Sequence, residues 1–199
     1  MKILIGTNNK AKVKKYGTIL EKLEIEYCTP KDLNLDIDVE ETGNTCEENS
    51  IIKAKAYYEI AKMPVLTDDS GLLIDKFSAE NQPGVLVRRY NGKKLTDEEL
   101  IEVYSKKIEE VGGDTTGAFV IAITIIDENG KIHTNVLRHE RYFVSKPCEA
   151  RIEGYPMNSL IYNRESKKYL AEEYEGEKIY KGSSFENDYT FIQSVLKNK

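Results

Sequence analysis

The chain has 199 residues, of which 40% are hydrophobic and 32% charged, so we expect a globular protein and not a disordered or fibrous one. Asp and Glu outnumber Lys and Arg by 34 to 29, and the net charge of −5 disfavours a protein that coats nucleic acid phosphates. The three cysteines form no Cys-x-x-Cys pair, which disfavours a disulfide framework or a structural zinc site and favours a reducing cytoplasm. No apolar run suits a signal peptide or a membrane span, so we expect no membrane partner, and the net charge leads us to expect no nucleic acid partner.

In the first half of the chain, strand-like and helix-like periods alternate. Residues 2–5 form a short apolar run that predicts a buried strand, and residues 10–23 carry apolar side chains at helical spacing. A capping box of Thr45 and Glu48 predicts a second helix that ends at Pro64. Strand, turn and helix in this order are the opening unit of an α/β fold.

The second half begins with another helix and then changes character. Thr96 and Glu99 form a second capping box and predict a helix that continues to about residue 110. Residues 118–126 and 131–144 predict a long β-hairpin closed by an Asn-Gly turn. Residues 185–196 predict a terminal helix. Neither a linker nor an internal repeat divides the chain, so we predict one domain with a mixed sheet.

The first strand-to-helix junction is strongly basic. Four lysines lie in the first turns of the predicted helix: Lys10, Lys12, Lys14 and Lys15. A cation at a helix N-terminus is unfavourable by roughly 0.3–1 kcal/mol, whereas an anion there is favourable. Free backbone N–H groups and the short polar side chains of Thr7 and Asn9 lie at the same end. The junction therefore indicates a phosphate site, although a solvated helix start capped by Thr7 or Asn9 explains the same residues.

Two adjacent carboxylates, Asp68 and Asp69, follow the apolar residues 63–66 and precede Ser70 and Gly71. Open α/β sheets build their ligand crevice at the carboxyl ends of strands, so we predict a metal ligand or a catalytic base at this position. Asp, Ser and Gly are also favoured in turns. A simple turn at the end of the strand is therefore the alternative.

Further polar residues surround the start of the second predicted helix. Asn49 and Lys53 are four residues apart, so they share one face of the helix, and the lysine can reach into a crevice. Acids in the first helical turn, such as Glu48, complement the helix dipole without any further function. This explanation does not extend to Glu41, which precedes the cap.

The order and spacing of these residues resemble the inosine/xanthosine triphosphate pyrophosphatase family. The motifs that carry the resemblance are Thr7-x-Asn9-x-x-Lys12, Glu41-Thr42-Gly43-x-Thr45-x-x-Glu48-Asn49-x-x-x-Lys53-Ala54, Asp68-Asp69-Ser70-Gly71-Leu72 and Pro83-Gly84-Val85 with Arg89-Tyr90. The resemblance implies a single two-lobed α/β domain over residues 1–199, with a long mixed sheet flanked by helices, a nucleotide cleft between the lobes, Mg²⁺ dependence and a homodimer. The implied reaction cleans the nucleotide pool: it hydrolyses ITP, XTP or dITP to the monophosphate and pyrophosphate.

The resemblance also implies roles for individual residues. Thr7, Asn9, Lys12 and Lys53 would hold the triphosphate, and Ser70 would contact the substrate. Glu41 and Asp68 would bind Mg²⁺, and Asp69 would be the general base. The sequence does not decide which aspartate binds metal and which takes the proton, so Asp69 is also a candidate ligand.

The last third of the chain departs from the family pattern. Tyr155 keeps an aromatic residue that can stack on a base, Asn158 stands where the family has an acid, and Lys178 keeps an expected lysine, so all three are candidate substrate-binding residues. The family's Ser-His-Arg motif aligns with Gly182-Ser183-Ser184, and Lys15 stands where the family commonly has Glu. Loss of base-reading partners weakens discrimination. The alternatives are therefore the same reaction on another nucleotide, or a nucleotide sensor with weak turnover.

Two histidines, His133 and His139, lie on the predicted hairpin. No third ligand accompanies them at a zinc-like spacing. We interpret them as hairpin residues and not as metal ligands.

Overall fold

The computed structural model describes residues 1–90, 92–174 and 183–197, and for residues 183 and 184 it describes the backbone alone. The strands of the main sheet are β1 (Lys2–Ile5), β2 (Glu26–Cys28), β3 (Val65–Ile74), β6 (Asp114–Ile126) and β7 (Ile132–Val144). Shorter strands form two ribbons, β4 (Arg89–Tyr90) with β5 (Lys93–Lys94) and β8 (Tyr162–Asn163) with β9 (Lys168–Tyr169). The helices are α1 (Lys10–Lys22), α2 (Cys46–Ala61), α3 (Asp97–Glu110), α4 (Leu170–Glu173) and α5 (Ser183–Leu196).

The main sheet has five strands in the order β2-β1-β3-β6-β7. Strand β1 lies in the middle of a parallel trio, because Ile3 pairs with Tyr27 of β2 and Ile5 pairs with Leu66 of β3. Strands β6 and β7 are neighbours joined by a tight turn, so the sheet is mixed. The predicted α/β fold with a mixed sheet flanked by helices is therefore confirmed.

Local sequence signals located the helix starts correctly. In both predicted capping boxes, the Thr45–Glu48 pair and the Thr96–Glu99 pair, the side chains and backbone N–H groups bond reciprocally. The hairpin is confirmed as well: Asp127 N–H and the carbonyl of Lys131 close it at 3.0 Å. No helix in the described part of the chain is both long and apolar enough to cross a membrane.

The third strand is longer than predicted. Asp68, Asp69, Ser70 and Gly71 lie inside the ten-residue strand β3 and not after its end, so both the predicted strand end and the alternative of a turn are wrong. Neighbouring strands β1 and β6 flank β3, and their backbone pairing outweighs the turn preference of these residue types. The two carboxylates are consequently held on a rigid element, and both residues are buried.

The described residues cluster into two compact units. The first contains residues 1–70, residues 121–137 and helix α5, and it has an apolar cluster that includes Leu4, Cys28, Tyr57 and Val65. The second contains the described residues of 71–120 and 138–174, and its core includes Ile74, Leu100, Ile108 and Phe143. The prediction of one domain over the whole chain stays a prediction.

Candidate functional site

The junction between β1 and α1 positions Lys12. Asn9 is the N-cap of α1, and its Oδ1 accepts hydrogen bonds from the backbone N–H groups of Ala11 at 2.9 Å and Lys12 at 3.3 Å. Thr7 Oγ1 in turn accepts from Asn9 N–H at 3.2 Å. The ammonium group of Lys12 reaches Asp68, with Nζ 3.0 Å from Oδ2. Of the two cap residues that the sequence offered, the structure selects Asn9.

Helix α2 presents two side chains to Asp69, and these two side chains share one helix face, as their i, i+4 spacing predicts. Lys53 Nζ lies 2.8 Å from Asp69 Oδ1, and Asn49 Nδ2 donates to Asp69 Oδ2 at 3.4 Å. The same ammonium group lies 2.9 Å from Oε1 of Glu41, which precedes the helix. The ammonium group of Lys53 thus contacts two of the three acids that the sequence singled out, Glu41 and Asp69.

Gly43 fixes the amide of Asn49. Its backbone N–H donates to Asn49 Oδ1 at 2.8 Å, which orients the amide nitrogen towards Asp69. A Cβ at position 43 would lie 2.6 Å from the Cβ of Glu48 and 2.7 Å from Asn49 Oδ1, closer than real contacts allow. The glycine is therefore required by close approach. Asn49, which is 1% exposed, belongs to the site although the sequence assigned it no role.

The pKa values of the adjacent carboxyl groups of Asp68 and Asp69 shift in opposite directions. Burial raises the pKa of Asp68, but the charges of Lys12, Lys53 and Lys15 outweigh burial, so the net shift is downward. Burial also raises the pKa of Asp69, and there Lys53 and Lys12 do not overcome it, so the net shift is upward. For Lys53, burial lowers the pKa, but the nearby carboxylates outweigh burial and the net shift is upward.

A third lysine and a fourth carboxylate extend the cluster. Lys15 Nζ lies 2.5 Å from Oδ2 of Asp188, which comes from α5 and is fully buried. Asp188 Oδ1 has no hydrogen-bond partner among the described residues, and burial raises its pKa despite Lys15. Sequence reasoning missed Asp188. A signal existed, because Asp188 lies on the apolar stripe formed by Phe185, Ile192 and Leu196, all of which are buried.

Carboxylate oxygens, which this cluster contains, are the donor atoms that hard divalent cations prefer. The buried Oδ1 of Asp68 has no hydrogen-bond partner in the described part of the chain, which is costly unless a cation or water completes its shell. Asp69 and Glu41, which both contact Lys53, carry the same type of oxygen donor. Within the described ranges, however, no three His, Cys, Asp or Glu side chains converge as a ready metal site, because lysines lie against the acids. Metal binding by Glu41, Asp68 and Asp69 stays a prediction.

The remaining predicted site residues fall elsewhere. Ser70 follows Asp69 in β3 and is half-buried. Tyr155 and Asn158 lie in the second unit, where Tyr155 precedes a short 3₁₀ turn, Pro156–Ser159, and Asn158 is buried within it. Lys178 lies outside the described residues.

Comparison with known proteins identifies similar sequences. The family model described as the Ham1 family matches residues 3–178. The dITP/XTP pyrophosphatase of Oceanobacillus iheyensis is 35% identical over 154 residues, which cover 77% of this chain and 73% of that protein. The dITP/XTP pyrophosphatase of Leptospira interrogans is 38% identical over 128 residues, which cover 64% of this chain and 63% of that protein. This alignment therefore spans less than two thirds of the Leptospira protein.

A solved structure extends the likeness to the whole fold. The Staphylococcus aureus Ham1 protein superposes with a TM-score of 0.78 at 26% identity, and the match covers 100% of this chain and 99% of that one. The family match covers most of the chain and includes every residue of the cluster except Asp188. The chain belongs to the Ham1 family.

Proposed function

We propose that this protein is a nucleoside triphosphate pyrophosphatase that hydrolyses nonstandard purine nucleotides, namely ITP, XTP and dITP, to the monophosphate and pyrophosphate. The observation that carries the proposal is the arrangement around Asp69, a buried carboxylate whose two oxygens face Lys53 and Asn49. The names of the similar proteins from Oceanobacillus and Leptospira, dITP/XTP pyrophosphatases, support the choice of substrate.

The basic side of the cluster suits a triphosphate. Lys12 and Lys53 supply ammonium donors, and the start of α1, held by Thr7 and Asn9, supplies the helix N-terminus that favours an anion. In the structure both lysines lie against carboxylates. A polyphosphate would exchange those contacts for its own oxygens, and Ser70 would add a hydroxyl donor.

The charge balance of the cluster calls for a divalent cation. Its close contacts join three lysines to four carboxylates: Lys12, Lys15 and Lys53 with Glu41, Asp68, Asp69 and Asp188. An excess of negative charge would repel a triphosphate, so additional positive charge is required. Asp68, with its partnerless Oδ1, and Glu41 would hold Mg²⁺, and Asp69 is a further candidate ligand. Bound Mg²⁺ would neutralise charge on the phosphate oxygens.

Asp69 is the side chain that we assign to proton transfer. A water oxygen forms a bond to the α-phosphorus while the bond from that phosphorus to the bridging oxygen breaks, and pyrophosphate leaves with the bonding electrons. The carboxylate of Asp69 takes the proton of the attacking water. Lys53 and Asn49 hold the two carboxylate oxygens, so the base is oriented before substrate arrives.

We assign recognition of the base to three side chains. Tyr155 offers an aromatic face for stacking and Asn158 offers an amide, while Lys178 adds a cation. The missing Ser-His-Arg motif leaves two other functions open. One is the same reaction on a different nucleotide, and the other is a sensor that binds nucleotides with weak turnover. The retained set of Glu41, Asp68 and Asp69 favours catalysis, because a sensor does not need all three.

We also assign the finer properties that the family resemblance implies. We propose that the enzyme is a homodimer that acts in the cytoplasm on free nucleotides and not on nucleic acid. The net charge of −5 supports action on free nucleotides, and the free cysteines, Cys28, Cys46 and Cys148, support the cytoplasm; the homodimer rests on the family resemblance alone.

A nucleotide panel tests the proposal. Purified protein with Mg²⁺ is incubated with ITP, XTP, dITP, dTTP and the four common ribonucleotides, and pyrophosphate release and melting temperature are both recorded. Preferential release from ITP, XTP or dITP is the expected result. Release from another nucleotide would change the assigned substrate and leave the assigned reaction unchanged. Thermal stabilisation by nucleotide without any release would favour the sensor.

A further inference from the structure

The first turn of α3 contacts the loop that carries Tyr155. Asp97, the first residue of α3, accepts a hydrogen bond from the backbone N–H of Gly154 through Oδ2 at 3.0 Å. Its other oxygen, Oδ1, accepts from Arg88 Nη1 at 2.7 Å. Arg88 Nη2 then donates to the carbonyl oxygen of Gly154 at 3.2 Å. Asp97 and Arg88 therefore hold both the N–H and the carbonyl of one residue, and we call this pair of side chains the Gly154 clamp.

The clamped residue sets the direction of the loop. Gly154 has a φ of 82°, in the left-handed region that side-chain-bearing residues rarely adopt. The next residue is Tyr155, and the carbonyl of Tyr155 accepts from Asn158 N–H at 3.1 Å. The backbone conformation of Gly154 thus sets the direction in which the Tyr155 side chain leaves the backbone. It also sets the position of the following 3₁₀ turn, in which Asn158 is buried.

A second contact from the same helical turn holds the opposite end of the loop. Glu98 accepts from Arg151 Nε at 2.7 Å, and Arg151 donates to the carbonyl of Cys148 at 2.6 Å. Ser159 closes the loop by donating to the carbonyl of Ala150 at 2.7 Å. Because the far end is held independently, loss of the clamp would release the Tyr155 segment without unfolding the whole loop.

We propose that Asp97 and Arg88 are positioning residues for base recognition: the clamp holds Tyr155 and Asn158 in the arrangement that binds a purine base. The inference rests on the proposed function, which assigns base contact to those two residues. Arg88 uses two guanidinium nitrogens for two acceptors, a fork that the single ammonium of a lysine does not reproduce. Both oxygens of Asp97 accept hydrogen bonds, whereas the amide of an asparagine has only one oxygen. In Asp97→Asn the amide NH₂ group would therefore face a donor, either Arg88 or the N–H of Gly154.

The test compares Asp97→Asn and Arg88→Lys with the wild type. Glu102→Gln is the control, because Glu102 lies on the same helix and pairs only with the exposed Lys106 in the described contacts. Each protein carries Asp69→Asn as a common background, so that turnover is suppressed while Mg²⁺ is present, and calorimetry measures the binding of ITP and of inorganic tripolyphosphate, which has no base. Amide hydrogen exchange of the peptide that contains Gly154 and Tyr155 is measured in parallel.

The proposal predicts a loss of affinity for the ligand that carries a base and not for the ligand that lacks one. Asp97→Asn should weaken ITP binding about tenfold and leave tripolyphosphate binding within about twofold, with faster exchange in the Tyr155 peptide. Arg88→Lys should do the same, and Glu102→Gln should match the wild type. Equal losses for ITP and tripolyphosphate, or no loss for either, would overturn the inference. Absence of pyrophosphate release by the wild type would instead contradict the proposed function, and the binding comparison would still decide the clamp.

Discussion

The ion pair between Lys15 and Asp188 allows a quantitative prediction about the cluster. The two side chains are 15% and 1% exposed, and their charged atoms lie 2.5 Å apart. Removal of one partner from a buried pair typically costs about 3–5 kcal/mol, whereas replacement of both by apolar residues is often neutral or stabilising. The perturbation is therefore a double-mutant cycle of Lys15→Met and Asp188→Leu.

We expect Lys15→Met to lower the free energy of unfolding by about 3 kcal/mol, at the lower end of that range. The reason is that Asp188 already has a raised pKa, so the isolated carboxyl takes up a proton and does not stay charged in the interior. For a chain of this size the loss corresponds to a fall in Tm of about 6–12 °C. The double variant should recover to within about 1 kcal/mol of the wild type, because no buried charge is then left without a partner.

The assay is urea denaturation at neutral pH followed by circular dichroism. Lys62→Met is the matched control, because Lys62 pairs with Glu59 on the surface, where both side chains are more than 70% exposed. That substitution should change stability by less than about 0.5 kcal/mol. If Lys15→Met behaves like Lys62→Met, or if the two site substitutions simply add, the reasoning about a buried pair is wrong.

Three further predictions concern single residues. Lys53→Ala should weaken binding of ITP more than binding of IMP, measured by calorimetry; equal losses would remove Lys53 from the phosphate site. Gly43→Ala should lower kcat/KM for ITP about tenfold, because a Cβ displaces Asn49, and an unchanged value in steady-state assays would contradict that role. Asp127→Asn should lower the urea midpoint at neutral pH. Burial raises the pKa of Asp127, but hydrogen bonds from His133 and two backbone N–H groups outweigh burial, so the net shift is downward. Its stabilisation is complete above the unfolded value of about 4 and is lost as pH falls through the folded pKa, so the deficit should shrink in acid; a constant deficit would contradict the assignment.

Features that depend on neighbours in sequence could be predicted. The capping boxes at Thr45 and Thr96 and the turn at Asn129 use side chains within a few residues of the backbone groups that they satisfy. The shared face of Asn49 and Lys53 follows from helix geometry alone, and both side chains do contact Asp69.

Features that depend on distant segments could not be predicted in the same way. Asp68 and Asp69 belong to a strand interior only because strands and lysines from other parts of the chain surround them, and turn preference suggested otherwise. Asp188 is buried against Lys15, which is remote in sequence. An acid on the apolar stripe of α5 indicates a buried carboxylate that needs a partner, but the sequence does not identify Lys15 as that partner.

The product of hydrolysis in water labelled with heavy oxygen, with Mg²⁺ and ITP, tests the central claim most directly. Attack at the α-phosphorus places the label in the monophosphate and leaves the released pyrophosphate unlabelled, and Asp69→Asn should abolish this reaction while ITP binding stays measurable. Labelled orthophosphate, which indicates attack at the terminal phosphorus, would contradict the proposed reaction. Near-normal turnover by Asp69→Asn would contradict the role of Asp69 as the base.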